Sequence, residues 1–338
     1  MKLRYSILIF ASLLLVFLAA CGEKSKEDVV KNLEEQAEKM DGYKTNAKMT
    51  MKTGEDEQSY NIAVWHKKKD YYKVELNSNE DKKGSQIILK NTDGVFVLTP
   101  ALNKSFKFQS AWPDNTSQPY LYASLINDII KDSESEFQAD DDYYVFKTKT
   151  NYQNNKSLPF QEIYFDKKSY EPVMVKVFDQ DMQSLVEVQF ADFSKDPTFN
   201  KEDFNVEKNM ASVESDVPVA SMSEPEELAV VYPEETLGSE LLEQEEVDVD
   251  SGKRVIMTYG GDKTYTIVQE TATTSPVSGN QTINVEGEPV ELGYTIGALD
   301  GDTLEWNHNG ATFYLASKDL TKEEMIDVAS SVQSYTSK

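Results

Sequence analysis

The sequence predicts an α+β protein: a curled antiparallel β-sheet (a half-barrel) with covering helices, followed by a small C-terminal α+β domain. Three features carry that expectation. Apolar residues recur with period two in roughly ten short stretches between Tyr43 and Ala191, and again after Arg254. Helical spacing occurs in three places: ahead of the first block, within it, and at the end of the chain. The 338 residues suffice for about two domains. A sheet this wide curls as it twists, so its concave face has to be filled by helices or by a ligand.

At the N-terminus, Lys2 and Arg4 precede an uncharged, mostly apolar run from Tyr5 to Ala20. The run is short for a spanning helix, which needs about 20 residues, and has the layout of a secretory signal over residues 1–20. It ends in Leu18-Ala19-Ala20-Cys21-Gly22, which resembles the bacterial lipobox, with Cys21 acylated after cleavage. Acyl chains there hold a protein to the membrane at about 0.8 kcal/mol per buried CH₂. The expected location is the extracytoplasmic face of the cell membrane, lipid-anchored.

Ser25, with Asp28 three residues on, opens a helix carrying Val29, Leu33, Ala37 and Met40 on one face. Strands are then expected at 43–53, 58–67, 71–76, 86–91, 94–100 and 105–109, with a hairpin turn at Asn91-Thr92-Asp93-Gly94. A second helix spans 120–131, with Tyr122, Leu125, Ile126 and Ile129 on one side, and strands resume at 143–150, 162–166, 173–178 and 185–191. Residues 25–207 form the first domain on this reading. Residues 209–250 hold thirteen acids, no Lys or Arg, and three Pro, so 208–250 is expected to be an acidic linker, the alternative being a docking tail for a basic partner or Ca²⁺. The second domain, 251–338, should contain strands at 254–259, 264–269, 281–285, 288–292, 303–307 and 311–315. A last helix starts at Thr321-x-x-Glu324.

Composition removes several functions. The net charge of −25 and the lack of a basic stripe oppose nucleic acid binding. One Cys forbids an internal disulfide, and two His make a multi-His metal site improbable, so no cofactor or metal is expected. No G-x-S-x-G elbow, H-E-x-x-H helix or phosphate-binding glycine loop is present. His66 shares a strand face with Tyr60, Ile62 and Val64, and His308 falls in a turn-like Asn307-His308-Asn309-Gly310; both read as structural or surface residues. Asp140-Asp141-Asp142 and Glu246, Asp248, Asp250 lack the spacing of a Ca²⁺ loop. No catalytic residue is assigned. What stands out is aromatic and apolar loading on the strands. Phe96, Leu98, Phe106, Phe108, Tyr122, Leu125 and Tyr164 are either sheet core or the lining of a hydrophobic cavity for an acyl chain or a partner's apolar segment.

The lipobox, the first helix, the segments around Tyr43–Met49, Val64–Lys67 and Tyr72–Glu75, and the closing Phe165-Asp166-Lys167-Lys168, Phe190-Ala191-Asp192-Phe193 and Asp203-Phe204 together resemble the outer-membrane lipoprotein-sorting (LolA/LolB-like) superfamily. More narrowly, they resemble the YdcC-type sporulation lipoproteins. Gly293–Ile296, Leu304–Trp306, Gly310–Leu315 and Leu320–Glu324 are similar to a domain of unknown function of the DUF4367 type. The resemblance implies a half-barrel over an apolar cavity and a role at the spore envelope, in cortex modification or germination. The carriers hold acyl chains with an Arg in the lid network, and this chain has no Arg between 22 and 253. The leading expectation is a non-enzymatic, membrane-anchored binding or scaffolding lipoprotein of sporulation with an envelope protein partner. The rivals are a lipid or lipoprotein chaperone and an envelope hydrolase.

Overall fold

The computed structural model describes residues 24–332 except 54–55, 79–84, 109, 115, 153–156, 212–227, 250–251, 272–282, 286, 294 and 309. The signal segment, Cys21 and part of the expected linker lie outside the described residues. Four helices are described: α1 (Lys26–Lys39), α2 (Tyr122–Lys131), α3 (Val206–Ala211) and α4 (Lys322–Ser330). The first large sheet is built from β1 (Gly42–Thr53), β2 (Asp56–Lys67), β3 (Tyr71–Ser78), β4 (Gln86–Asn91), β5 (Gly94–Thr99), β6 (Lys104–Phe108), β7 (Glu136–Ala139), β8 (Tyr143–Lys149), β9 (Phe160–Asp166), β10 (Pro172–Phe178) and β11 (Ser184–Lys195). The second contains β12 (Ser239–Val249), β13 (Gly252–Gly261), β14 (Tyr265–Thr271), β16 (Glu288–Glu291), β17 (Ile296–Asp300), β18 (Thr303–His308) and β19 (Ala311–Ala316). One strand of the C-terminal half, β15 (Ile283–Val285), belongs to the first sheet. It runs parallel to β6, pairing Ile283 with Phe106, and caps the order β15-β6-β5-β4-β3-β2-β1-β11-β10-β9-β8-β7. All other pairings are antiparallel and the twelve-stranded sheet stays open.

Alternation decides which residues face the helices. On β1 and β2, Ala47, Met49, Met51, Tyr60, Ile62 and Val64 point to one face. There they meet Val29 and Leu33 of α1 and Tyr122, Leu125, Ile126 and Ile129 of α2. Helix α1 starts where Ser25 Oγ accepts the Asp28 amide at 3.2 Å. Helix α2 starts without a side-chain cap of its own; instead the Tyr122 amide donates to Tyr43 Oη at 3.1 Å. Beneath α1 and α2 this face is therefore filled by helix side chains. Each large apolar side chain buried this way contributes about 1.5–3 kcal/mol.

Strands β4 and β5 are covered on both faces, which is why Ile-Ile-Leu and Val-Phe-Val-Leu read as unbroken apolar runs. Their second face, Ile87, Leu89, Phe96 and Leu98, packs under Phe204 and Met210, from the turn before α3 and from α3 itself. The sequence reading places no helix at 206–211 and no strand at 136–139 or 296–300. All three elements are short, and β17 sits against its neighbour through Gly297, so periodicity has little to show there.

Residues 239–249, expected within the acidic linker, form strand β12, an edge strand hydrogen-bonded to β13. Nearly all of its side chains face solvent, which removes the apolar alternation that marks a half-buried strand. Val231 is also buried, its amide donating to Gln269 Oε1 at 3.0 Å. The structured C-terminal unit thus begins before residue 251.

Candidate functional site

One apolar cluster runs from the large sheet into the second one, from Met49 and Met51 through Val290 and Leu292 to Trp306 and Phe313. The seam is also tied by polar contacts. Gln86 Oε1 accepts the Ile296 amide at 2.7 Å, and Lys104 Nζ donates to Asn307 Oδ1 at 3.3 Å and Thr312 Oγ1 at 3.2 Å. At one place the seam does not close. A groove of about 360 Å³ opens between Met49, Met51 and Lys52 of β1, Leu185 and Val186 of β11, Leu158, Leu237, the Glu291-Leu292-Gly293 stretch and Asp327 and Ser330 of α4. Gly293 has φ +84°, a backbone conformation that favours glycine, and a Cβ there would meet Met51 Cε at 2.4 Å, so that flexible side chain would have to shift.

Glu291 is the charged group set deepest in this lining. Its Oε1 lies 2.9 Å from the Tyr120 hydroxyl, which also lies 2.6 Å from Gln118 Oε1. One hydroxyl proton serves one of the two oxygens, and a protonated Glu291 supplies the missing hydrogen. Burial pushes its carboxyl up to about 7, against the opposing pull of the Tyr120 hydroxyl and the nearby Gln118 amide. Its second oxygen, Oε2, is sealed from solvent and has no hydrogen-bond partner among the described residues. Around it stand Tyr152, whose hydroxyl burial also pushes up, and at the rim Glu234, Glu235, Asp327 and Lys52. Ser157 Oγ donates to Asp327 Oδ1 at 3.0 Å.

The seven residues expected to line a cavity do not share a face. Phe106, Phe108, Tyr122 and Leu125 lie in the core under α2, buried to 6% exposure or less. Phe96 and Leu98 point to the opposite side of the sheet, under α3. Tyr164 is part-buried on the face of β9 opposite Ile163 and Phe165, where its hydroxyl donates to Glu162 Oε2 at 2.8 Å. Alternation explains the split: 96 and 98 are even positions of β5, whereas its core-facing residues are Val95 and Val97. None of the seven lines the groove. Sequence reasoning missed the groove, because its walls come from distant stretches and Glu291 sits among many other acids.

His66 is packed against the rings of Tyr72 (4.4 Å between centroids) and Tyr43 (5.2 Å), and burial pushes it down to about 4. That is a part-buried histidine in an aromatic cluster, neutral at pH 7. His308 ends β18, not a turn, and is buried. Asp140 Oδ1 accepts the amides of Asp142 and Tyr143, holding a turn. Among the described residues no three His, Cys, Asp or Glu side chains gather as a metal site, and no helix is long and apolar enough to cross a membrane.

A family model described as "Sporulation protein YdcC-like" matches residues 1–204. The chain is 48% identical to the sporulation protein YdcC of Bacillus subtilis (strain 168) over 336 residues, 99% of this chain and 98% of that one. Among solved structures it is similar to the MucA/MucB complex of Pseudomonas aeruginosa, with a TM-score of 0.35 at 11% identity, covering 92% of this chain and 100% of that one. It is also similar to a LolA-superfamily protein from Nitrosomonas europaea, with a TM-score of 0.32 at 10% identity, covering 55% of this chain and 100% of that one.

Proposed function

The chain belongs to the YdcC-like sporulation protein family, and from that premise we propose that it is a lipid-anchored, non-catalytic binding protein of the envelope in sporulating cells. It holds an apolar segment of a partner protein in the groove between its two sheets. The observation that carries this reading is the groove itself: a concave, largely apolar site at a domain seam, with one buried carboxyl converging on it. Tyr122, Leu125, Ile126 and Ile129 occupy the helix-covered part of the large sheet's apolar face, and the groove is the part of it left open around Met49 and Met51. His66 is packed between the rings of Tyr43 and Tyr72, which supports a structural role for it and not a catalytic one. Acylation of Cys21 supplies the membrane attachment, and the acidic body stands off an anionic lipid surface.

The test is photo-crosslinking in sporulating cells, with a photoreactive residue at Leu158 in the groove or at Tyr164 on the far sheet face. The expected outcome is a defined protein adduct from position 158, absent from 164 and depleted from the membrane fraction in the Cys21→Ala variant. A lipid adduct at 158, or equal protein adducts at both positions, overturns the groove reading. Membrane retention of Cys21→Ala overturns the anchor.

A further inference from the structure

From its charge pattern we infer that the groove selects a cationic amphipathic segment: apolar side chains against Met49, Met51, Leu158 and Leu292, and a Lys or Arg facing its acids. This rests on the groove being the binding site. Four carboxyl groups line it, on Glu234, Glu235, Glu291 and Asp327, against one ammonium, on Lys52. They are spread around an apolar floor, so an occupant has to be apolar along its length and positive at its edges. An anionic fatty acid or phospholipid meets the same apolar wall, but its head group faces the carboxylates of Glu234, Glu235 and Asp327 and is repelled.

Glu291 adds a specific element. Its Oε1 is engaged by Tyr120, while Oε2 is buried and has no partner among the described residues. A buried acceptor left unmade is unfavourable in the free protein, and a donor brought close by the occupant removes that deficit. A lysine ammonium or arginine guanidinium supplies that hydrogen, and its charge favours release of the Glu291 proton, so that the bound pair becomes a charge-assisted one. Ser157 already engages Asp327 Oδ1, so part of the rim is fixed in place before anything binds. An acyl chain offers no such donor. Arg254 is engaged by Glu270 at 2.7 Å, and among the described residues no second cation lines the groove beside Lys52.

The experiment uses the full chain carrying Cys21→Ala, with Ser330→Cys labelled by an environment-sensitive fluorophore as the groove reporter. The probes are Gly-Leu-Lys-Leu-Gly-Leu-Lys-Leu-Gly, the same peptide with Gln or Glu for Lys, the same peptide with Gly for Leu, and sodium dodecanoate below its micelle concentration. The Lys peptide should bind about tenfold more tightly than the Gln peptide, with the Glu peptide and dodecanoate weaker still. In Glu291→Gln the preference for Lys over Gln should shrink, with unchanged far-UV circular dichroism. Asp327→Asn provides a second reading at the rim if Glu291→Gln folds poorly. Equal binding of the Lys and Gln peptides overturns the charge selection and leaves the groove reading standing. Equal binding of the Leu-free Lys peptide overturns it as general attraction to an acidic protein. Dodecanoate binding tighter than the Lys peptide overturns it in favour of an acyl anion. No response to any probe overturns the groove reading together with the inference.

Discussion

The large sheet presents one apolar face to two regions, under α2 and at the seam with the second sheet, yet the first is filled and the other is a groove of about 360 Å³. Under α2 the rings interlock: Tyr122 meets Phe165 edge-on at 6.2 Å and Phe193 at 5.5 Å, and Tyr43 stacks on Phe193 at 5.1 Å. At the seam, long flexible Met side chains meet a glycine, and the polar groups include a carboxyl that burial keeps protonated up to about neutral pH. Apolar character does not tell core from groove; local completeness of packing and of hydrogen bonding does.

The sharpest way to break this comparison is Leu125→Ala. Leu125 is fully buried under α2, so its truncation should lower the unfolding free energy by about 2–5 kcal/mol, measured by urea denaturation. Binding of the groove probe to the remaining folded protein should not change. A loss of groove binding at full folding would mean that the two regions act as one.

The next contrast is in pH. Glu291 is raised from 4.5 to about 7, so the folded state keeps a proton that the unfolded chain releases. Its contribution is largest below pH 4.5 and is lost as pH rises to 7, on the order of 3 kcal/mol in all. His66 is lowered from 6.5 to about 4, so the unfolded chain takes up the proton first. Its contribution is full above pH 6.5 and is lost, by a similar amount, as pH falls toward 4. Between pH 4.5 and 6.5 the two oppose each other. Relative to the parent, stability of Glu291→Gln should therefore rise with pH across that window, and that of His66→Phe should fall. Denaturant titrations at four pH values check this, and parallel curves for all three proteins would contradict it.

The smallest effect belongs to the open surface. Glu35 on α1 pairs with Lys39 at 2.9 Å and Lys31 at 4.0 Å, with all three side chains largely in water. Glu35→Gln should leave the melting temperature of the protein within the error of a calorimetric scan.

Much of the fold is legible in the sequence because its elements are half-buried. Period two exposes β1 to β3, the Asn91–Gly94 hairpin announces its own turn, and the two capped helices begin at Ser25 and Thr321 as their side chains require. Strand β12 is not legible, since acids fill both of its faces and only backbone pairing defines it. The placement of Phe96 was recoverable in principle: it alternates with Val95 and Val97, and a two-sided strand implies two covering layers. The groove was not recoverable, because Met51, Leu158 and Glu291 become neighbours only after the two halves of the chain dock.

Strand β15 gives that docking a direction in time. A chain made from its N-terminus completes β6 long before Ile283 exists, so during synthesis the outer edge of the large sheet stands bare beside Phe106. Such an edge is a ready template for a neighbouring copy. A truncation before Ile283 would leave that edge uncovered in the finished protein as well.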